Sequence, residues 1–145
     1  MAKPTVIKAL NYLEKNNLVL TKRVGRVKFY RLNRHSFFVF QLKKLFNFTS
    51  NILLELIEKL KEAKKIIVFG SYARGEDVEE SDIDVLVVTD IKDEFVQKVA
   101  SSLSRKYGKR LAFITRTPEE YVKMVDKERE LLERAVLQGV IIHEA

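Results

Sequence analysis

Two aspartates one residue apart, Asp82 and Asp84, follow a glycine and serine pair, Gly70 and Ser71, after an interval of ten residues. Because strand side chains alternate between faces, the two aspartates are expected to point the same way. Neighbouring carboxylates supply the hard oxygen ligands that Mg²⁺ prefers, and free backbone N–H groups at a helix start suit phosphate. The four residues together predict a site for a nucleoside triphosphate with magnesium.

Two short strands are expected to position these residues. The apolar run at residues 66–69 ends abruptly at Gly70, which predicts a buried strand that feeds a turn. Ser71 is expected to cap the helix that follows, and Gly70 to let the backbone approach a ligand closely. Residues 85–88 predict a second strand directly after the aspartates. In such a site Mg²⁺ would neutralise charge during phosphoryl or nucleotidyl transfer.

The same residues carry a resemblance to a known family. Gly70-Ser71, ten residues and Asp82-Ile83-Asp84 match the GS-x10-DxD motif, and Arg74-Gly75 and Ser81 agree with its usual wording. The chain thus resembles the minimal nucleotidyltransferases of the DNA polymerase beta superfamily over roughly residues 51–145. The resemblance implies an α/β (α+β) fold, a small mixed sheet with flanking helices. It also implies that Gly70 and Ser71 bind the triphosphate, and that Asp82 and Asp84 are the catalytic metal ligands.

A third carboxylate, which active members of the superfamily carry on a neighbouring strand, is missing. That strand is predicted at residues 110–115, which contain no acid. Two ligands can still hold one Mg²⁺, because this ion keeps water and substrate oxygens in its shell. Two ions are expected only if Asp90, Glu119 or a partner's side chain supplies the third ligand. Arg74 is a candidate nucleotide-binding residue that could pair with phosphate, and a solvated helix position is the alternative.

Two functions are compatible with these residues. The resemblance implies a Mg²⁺-dependent nucleotidyltransferase that moves a nucleoside monophosphate from an NTP, expected to be ATP, to a hydroxyl of another macromolecule. Minimal proteins of this family often pair with a small helical HEPN-type protein as antitoxin and modify a tyrosine on it. The alternative is a regulatory protein of the same fold that binds nucleotide without turnover or associates with DNA. The missing carboxylate favours this second function.

The composition limits the remaining possibilities. The 145 residues contain no cysteine, which excludes disulfides and thiolate metal sites. No apolar run reaches the ~18 residues of a membrane span, and the first residues do not open a signal peptide, so we expect a soluble, cytoplasmic protein. Residues 1–65 hold 15 Lys and Arg against four acids, a net +11, whereas residues 66–145 hold 12 against 16, a net −4. A polyanion partner or a solvated lysine-rich face would explain this asymmetry.

The basic part is predicted to be a separate segment, residues 1–48, followed by the nucleotidyltransferase domain, residues 49–145. Residues 3–33 resemble the second half of a winged helix-turn-helix domain, a recognition helix and then a β-hairpin around Gly25. The two preceding helices of that fold are not seen, so the apolar face of the helix needs another cover. A second copy in a homodimer, the following domain or upstream residues could provide it. The candidate nucleic-acid contacts, all with phosphate, are Lys22, Arg23, Arg26 and Lys28.

Overall fold

The computed structural model describes residues 2–127 and 129–145. The contacts between residues divide the chain into two compact units, Met1–Lys43 and Lys44–Ala145. This division falls inside helix α2 (Phe37–Phe48), whereas the predicted boundary lies at the end of that helix. The difference arises because the last turn of α2 makes its own contacts with the second unit, which are described with the site below.

The first unit consists of a helix and a hairpin. Helix α1 (Lys3–Lys15) has Pro4 in its first turn, a position that favours a helix start, and ends at the cap residue Asn16. Strands β1 (Val19–Val24) and β2 (Val27–Leu32) pair antiparallel around a turn that begins at Gly25. The Glu14 carboxylate accepts hydrogen bonds from Lys28 Nζ at 2.7 Å and from the Thr21 hydroxyl at 2.8 Å, which ties the helix to the hairpin.

This unit has little core. No residue of α1 is buried, and among the described residues of the unit only Val19 and Val39 are buried. Large apolar side chains lie at the surface instead, and their exposed fractions reach 76% at Phe37. The apolar face of α1 therefore lacks a cover within the unit, as the sequence predicts. The resemblance to a winged helix-turn-helix domain stays a prediction.

The second unit is built on a mixed four-stranded sheet. Its strands are β3 (Lys65–Phe69), β4 (Ile83–Val88), β5 (Leu111–Arg116) and β6 (Val140–Glu144), in the spatial order β5-β4-β3-β6. Strands β4 and β5 are parallel and joined by the crossover helix α5 (Asp93–Tyr107), while β3 pairs antiparallel with both β4 and β6. The predicted mixed sheet with flanking helices is thereby confirmed.

Both faces of this sheet are covered because its strands are apolar on both sides. Ile66, Val68 and Val85 pack against α3 (Asn51–Lys59) and α5. On the other face, Ile67, Phe69, Leu86 and Val88 pack against Met124 and Ala135. Met124 belongs to α6 (Pro118–Lys127), and Ala135 to a π-helical segment, Leu132–Leu137. The site residues therefore stand on strands that buried side chains hold in place.

The residues Thr117-Pro118-Glu119-Glu120 have the cap, the first-turn proline and the glutamate that predict a helix start, and the segment that covers the second face begins there. The Thr117 hydroxyl accepts the Glu120 N–H at 3.2 Å, and the Glu120 carboxylate accepts the Thr117 N–H at 2.8 Å, which is a complete capping box. The sequence predicts helical character from there to Gln138 with a break near Asp126, which adjoins residue 128, and that residue lies outside the described residues. Helix α7 (Arg129–Leu131) follows, and the π-helical segment ends before Gly139. No described helix has the length and apolarity to cross a bilayer.

Candidate active site

The turn after β3 brings a carboxylate against the backbone. Gly70 begins the short helix α4 (Gly70–Arg74) with a left-handed φ of +71°. Phe69, the residue before it, pairs in register with Asp84 of β4. A Cβ built on Gly70 would overlap the Asp84 carboxylate oxygen Oδ2 and lie 3.2 Å from its Cγ. Glycine is therefore required here both by the backbone conformation and by the approach of the carboxylate.

Ser71 does not cap this helix, contrary to its predicted role. The N-cap residue is Phe69, and no side chain makes a capping hydrogen bond. The cap lies two residues earlier than predicted, because Gly70 adopts its left-handed conformation at the end of the strand. The helix has five residues and ends at Gly75, which is also left-handed. Its dipole is consequently that of a single turn, and a phosphate here would depend on individual N–H groups and on the Ser71 hydroxyl.

The last turn of α2 anchors this helix and the loop that follows. Asn47 Nδ2 donates hydrogen bonds to the Tyr72 carbonyl at 2.9 Å and to Asp77 Oδ1 at 2.8 Å. The Tyr72 hydroxyl donates in return to the Asn47 carbonyl at 3.1 Å. Asp77 is buried, and the Ser81 hydroxyl accepts the Val78 N–H at 2.9 Å. The acidic loop between the turn and the aspartates therefore has a defined path.

The two aspartates interact electrostatically. Burial raises the pKa of Asp84 above its ordinary value, the Arg134 guanidinium opposes this rise, the Asp82 charge adds to it, and Arg74 opposes it further. Asp84 is half-buried at the start of β4, with the apolar Leu86 following it on the same face. A cation that binds both carboxylates would relieve their repulsion and replace the water that burial removes.

The residue beside Asp84 on the neighbouring strand is alanine. Ala112 of β5 is the register partner of Asp84, so it stands beside that aspartate on the neighbouring strand. Asp90 follows the end of β4 that is opposite to Asp84, and Glu119 follows the end of β5 that is opposite to Ala112. At ~3.3 Å per strand residue, each acid lies roughly 20 Å from Asp84. Neither can therefore act as the substitute. Among the side chains that the structure describes, no three of His, Cys, Asp or Glu are grouped to hold a metal.

The pair of aspartates nevertheless suits one hard divalent cation. Carboxylate oxygens are the ligands that Mg²⁺ prefers, and this ion retains water molecules and takes phosphate oxygens for its remaining positions. Because Gly70 has no side chain, the Asp84 carboxylate lies directly against the backbone of the turn. Asp82 and Asp84 would hold such an ion between the strand end and a bound phosphate group.

Two arginines near the aspartates were not predicted from the sequence. Arg110, which directly precedes β5, places its Nε 3.5 Å from Asp82 Oδ2. Arg134 of the π-helical segment lies over the Phe69 ring, 5.9 Å from its centroid, and its charge acts on Asp84. Strand alternation could have indicated Arg110, two residues before Ala112, whereas no local pattern indicates Arg134. The predicted Arg74 pairs with Glu76 at 2.8 Å.

The four basic residues predicted to contact nucleic acid do not form one patch. Arg23 and Lys28 face each other across the hairpin, and Lys28 is paired with Glu14. Lys22 stands on the opposite face, across from the exposed Phe29, and Arg26 lies in the turn. Lys22 and Arg26 are therefore better placed to contact phosphate than Lys28.

Comparison with known proteins identifies the family. A family model described as a nucleotidyltransferase domain matches residues 50–141, which is more than half of the chain. The chain belongs to this nucleotidyltransferase family. The match contains Gly70, Ser71, Asp82 and Asp84, and the mixed sheet with its flanking helices is consistent with the predicted polymerase beta-like fold.

Two relatives from Methanocaldococcus jannaschii bear similar names. "Putative protein adenylyltransferase MJ0604" is 44% identical over 63 residues, which cover 43% of this chain and 63% of the relative. "Putative protein adenylyltransferase MJ0141" is 41% identical over 71 residues, which cover 37% of this chain and 72% of the relative. The chain thus spans less than two thirds of the first relative's length.

One solved structure, described as "Crystal structure of the toxin-antitoxin with AMP-PNP", shares the fold. The TM-score is 0.50 at 19% sequence identity, over 66% of this chain and 73% of the other chain. This similarity supports the fold.

Proposed function

We propose that this protein is a Mg²⁺-dependent nucleotidyltransferase that moves AMP from ATP to a hydroxyl group of a partner protein. The observation that carries the proposal is the Asp84 carboxylate held against the Gly70 turn, beside Asp82, within a matched nucleotidyltransferase domain. The names of the two relatives support ATP as the donor and protein as the acceptor.

In this proposal one set of residues binds the metal and another binds the phosphates. Asp82 and Asp84 are the metal ligands, and the backbone of Gly70 and Ser71 binds the triphosphate. When bound, Mg²⁺ supplies positive charge to the phosphate oxygens. Arg134 and Arg74, whose charges already act on Asp84, would face the same phosphates. A bond forms between the acceptor oxygen and the α-phosphorus, the bond to the β-phosphate bridge breaks, pyrophosphate leaves, and the hydroxyl proton passes to solvent.

The acceptor is proposed to be a tyrosine hydroxyl of a HEPN-type protein in a toxin-antitoxin pair. The family resemblance supports this partnership, and the solved structure of a toxin-antitoxin with AMP-PNP is a neighbour in fold. A homodimer is also proposed, because the apolar face of α1 is not buried within its own unit.

The test follows the α-phosphate. Protein, Mg²⁺ and a purified HEPN-type partner are incubated with ATP labelled either at the α- or at the γ-phosphate. We expect the α-label to appear on the partner and the γ-label to remain in solution, and we expect the double variant Asp82→Asn/Asp84→Asn to transfer nothing. Transfer of the γ-label would indicate a kinase and contradict the proposal. ATP binding without any labelled product would favour the second candidate.

That candidate is a DNA-associated protein that binds nucleotide without turnover. Ala112 beside Asp84 favours it, because a site without the third carboxylate lacks part of the usual metal site. The exposed Lys22 and Arg26 on the hairpin support contact with phosphate. Fluorescence anisotropy with labelled DNA would test it. Affinity should fall steeply with salt, and an absence of binding at low salt would contradict the DNA association.

A further inference from the structure

We propose that Arg110 takes the place of the second metal ion, so that the site works with a single divalent cation and one guanidinium. This inference rests on the proposed function and assigns a role to a residue outside the sequence motif. It starts from the position beside Asp84 on β5, where a third carboxylate would bind a second cation and where Ala112 stands instead. Mg²⁺ is usually held by one or two carboxylates together with substrate phosphates and water, so this pair of aspartates suffices for one cation and leaves a second without a carboxylate of its own.

The backbone places Arg110 next to the metal ligands. The Arg110 carbonyl accepts the N–H of Ile83 at 2.9 Å, and Ile83 lies between the two aspartates in the sequence. By strand alternation, Arg110 stands on the same face as Ala112 and therefore on the face of Asp84. Its side chain then reaches Asp82, with Nε 3.5 Å from Oδ2. A positive charge is thus fixed at the edge of the carboxylate pair.

The exposure of the guanidinium leaves room for a phosphate. The Arg110 side chain is 75% exposed, against 34% for Asp82. A guanidinium carries five N–H donors in a planar fork that matches phosphate geometry, and the contact with Asp82 engages Nε. Arg110 can therefore bridge Asp82 and a phosphate oxygen, as a second cation would.

The other two arginines of the site are placed differently. Arg74 pairs with Glu76 at 2.8 Å, and Arg134 lies over the Phe69 ring. Both act on Asp84. Arg110 instead makes an ion pair with Asp82, so its charge acts on the other carboxylate of the pair. A surface ion pair with only a structural role would contribute little to stability, and its loss would leave nucleotide and metal binding unchanged. A guanidinium that binds phosphate would weaken nucleotide binding when it is removed.

The test counts metal ions and measures nucleotide affinity. Mn²⁺ is titrated into the protein in the presence of an ATP analogue whose α,β bridge cannot be cleaved, and bound Mn²⁺ is counted by electron paramagnetic resonance. We expect one Mn²⁺ per wild-type chain and two in Ala112→Asp. Calorimetry should show that Arg110→Ala weakens analogue binding by about 10- to 100-fold, as expected for a lost charged hydrogen bond, and Arg110→Lys by less.

Arg105→Ala is the matched control, since Arg105 is an exposed arginine of the last turn of α5. It should bind the analogue as the wild type does, and unchanged melting temperatures would show that each variant folds. Two Mn²⁺ ions in the wild type, or equal affinities for Arg110→Ala and Arg105→Ala, would overturn the role of Arg110 and leave the proposed function standing. A wild type that binds neither Mn²⁺ nor the analogue would overturn the proposed function as well.

Discussion

In Lys44–Ala145 a four-stranded sheet is covered on both faces by buried apolar side chains, whereas in Met1–Lys43 a helix and a hairpin share almost no core. The first unit instead relies on polar contacts such as those of Glu14 with Lys28 and Thr21. It carries ten Lys and Arg against one acid, a net +9, while the second unit carries 17 against 19, a net −2.

The difference shows that burial and charge have separate roles: buried side chains hold the candidate site in the second unit, and charged side chains mark the surface of the first. A site that must hold two like charges close together needs strands that cannot shift, and β3 and β4 meet this need because their residues are buried. Because the side chains of the first unit are exposed, any binding by this unit must depend on its surface residues. The predictions below test this contrast from the core outward.

Removal of a core side chain should distinguish the two units most strongly. Leu56 of α3 is fully buried, so Leu56→Ala should lower the free energy of unfolding of the second unit by ~3 kcal/mol. Val19→Ala in β1 should cost only ~1 kcal/mol, because Val19 has few buried neighbours. Hydrogen exchange of amide protons in β3 and β1 would measure each unit separately. Equal losses would contradict the contrast in core.

Two left-handed glycines offer a matched comparison of a crowded turn with an open one. Gly70 has a φ of +71° and faces the Asp84 carboxylate, whereas Gly25 has a φ of +60° and nothing within 4 Å of an added Cβ. Gly25→Ala should therefore cost only the backbone term, ~1 kcal/mol. Gly70→Ala adds the displacement of Asp84 and should cost ~2–3 kcal/mol.

Metal binding gives the second readout for these glycines. Gly70→Ala should abolish Mn²⁺ binding in the presence of an ATP analogue, since the Asp84 carboxylate must move. Gly25→Ala should leave that binding unchanged. If Gly70→Ala bound Mn²⁺ normally, the approach of Asp84 to the turn would have no role in the site.

The parts of the fold that depend on residues close together in the sequence could be predicted from it. Apolar runs indicated the strands on either side of the motif, and the residues after Thr117 indicated a helix start that the structure confirms through its capping box. The motif spacing predicted the family, because Gly70 and Asp84 must meet across one strand pair. These features involve short stretches whose geometry is set by periodicity and turn chemistry.

Features that depend on distant contacts could not be predicted. Arg134 reaches Phe69 through the packing of a π-helical segment, which no local pattern indicates. The polar, turn-forming residues 47–51 predict a domain boundary, yet the Asn47 side chain anchors Tyr72 and Asp77 and brings the last turn of α2 into the second unit. The capping role predicted for Ser71 was wrong because a glycine with positive φ starts the helix earlier.

The two acids Asp84 and Glu55 should respond to pH with opposite signs. Burial raises the pKa of Asp84, so stability falls as the pH rises from the ordinary carboxyl pKa through that raised pKa, and the full cost is present above it. Asp84→Asn should therefore raise the melting temperature at pH 7 by roughly 2–4 °C, and the gain should vanish below about pH 4. The same variant should fail to bind Mn²⁺, which would show that the function of the site opposes its stability.

Glu55 is the control for this measurement. Hydrogen bonds from Lys106 and then from Tyr107 lower the pKa of Glu55, so its ionised form contributes stability above the ordinary carboxyl pKa and loses it on acidification. Glu55→Gln should lower the melting temperature at pH 7, and the difference should disappear as the pH falls through the lowered pKa of Glu55. Thermal scans of both variants across this pH range would check the signs. A gain for Glu55→Gln would contradict the assignment.

The smallest effects are expected on the hairpin, where two lysines on opposite faces differ in their partners. Lys22 lies across from the exposed Phe29, whereas Lys28 is already neutralised by Glu14. If the first unit binds a polyanion, Lys22→Ala should reduce the slope of log affinity against log salt by about one, and Lys28→Ala should change it less. Anisotropy titrations with labelled DNA at several salt concentrations would measure both slopes. Equal reductions of the two slopes would mean that the ion pair between Lys28 and Glu14 opens when DNA binds. The contact between helix and hairpin would then have to break before the hairpin could bind DNA.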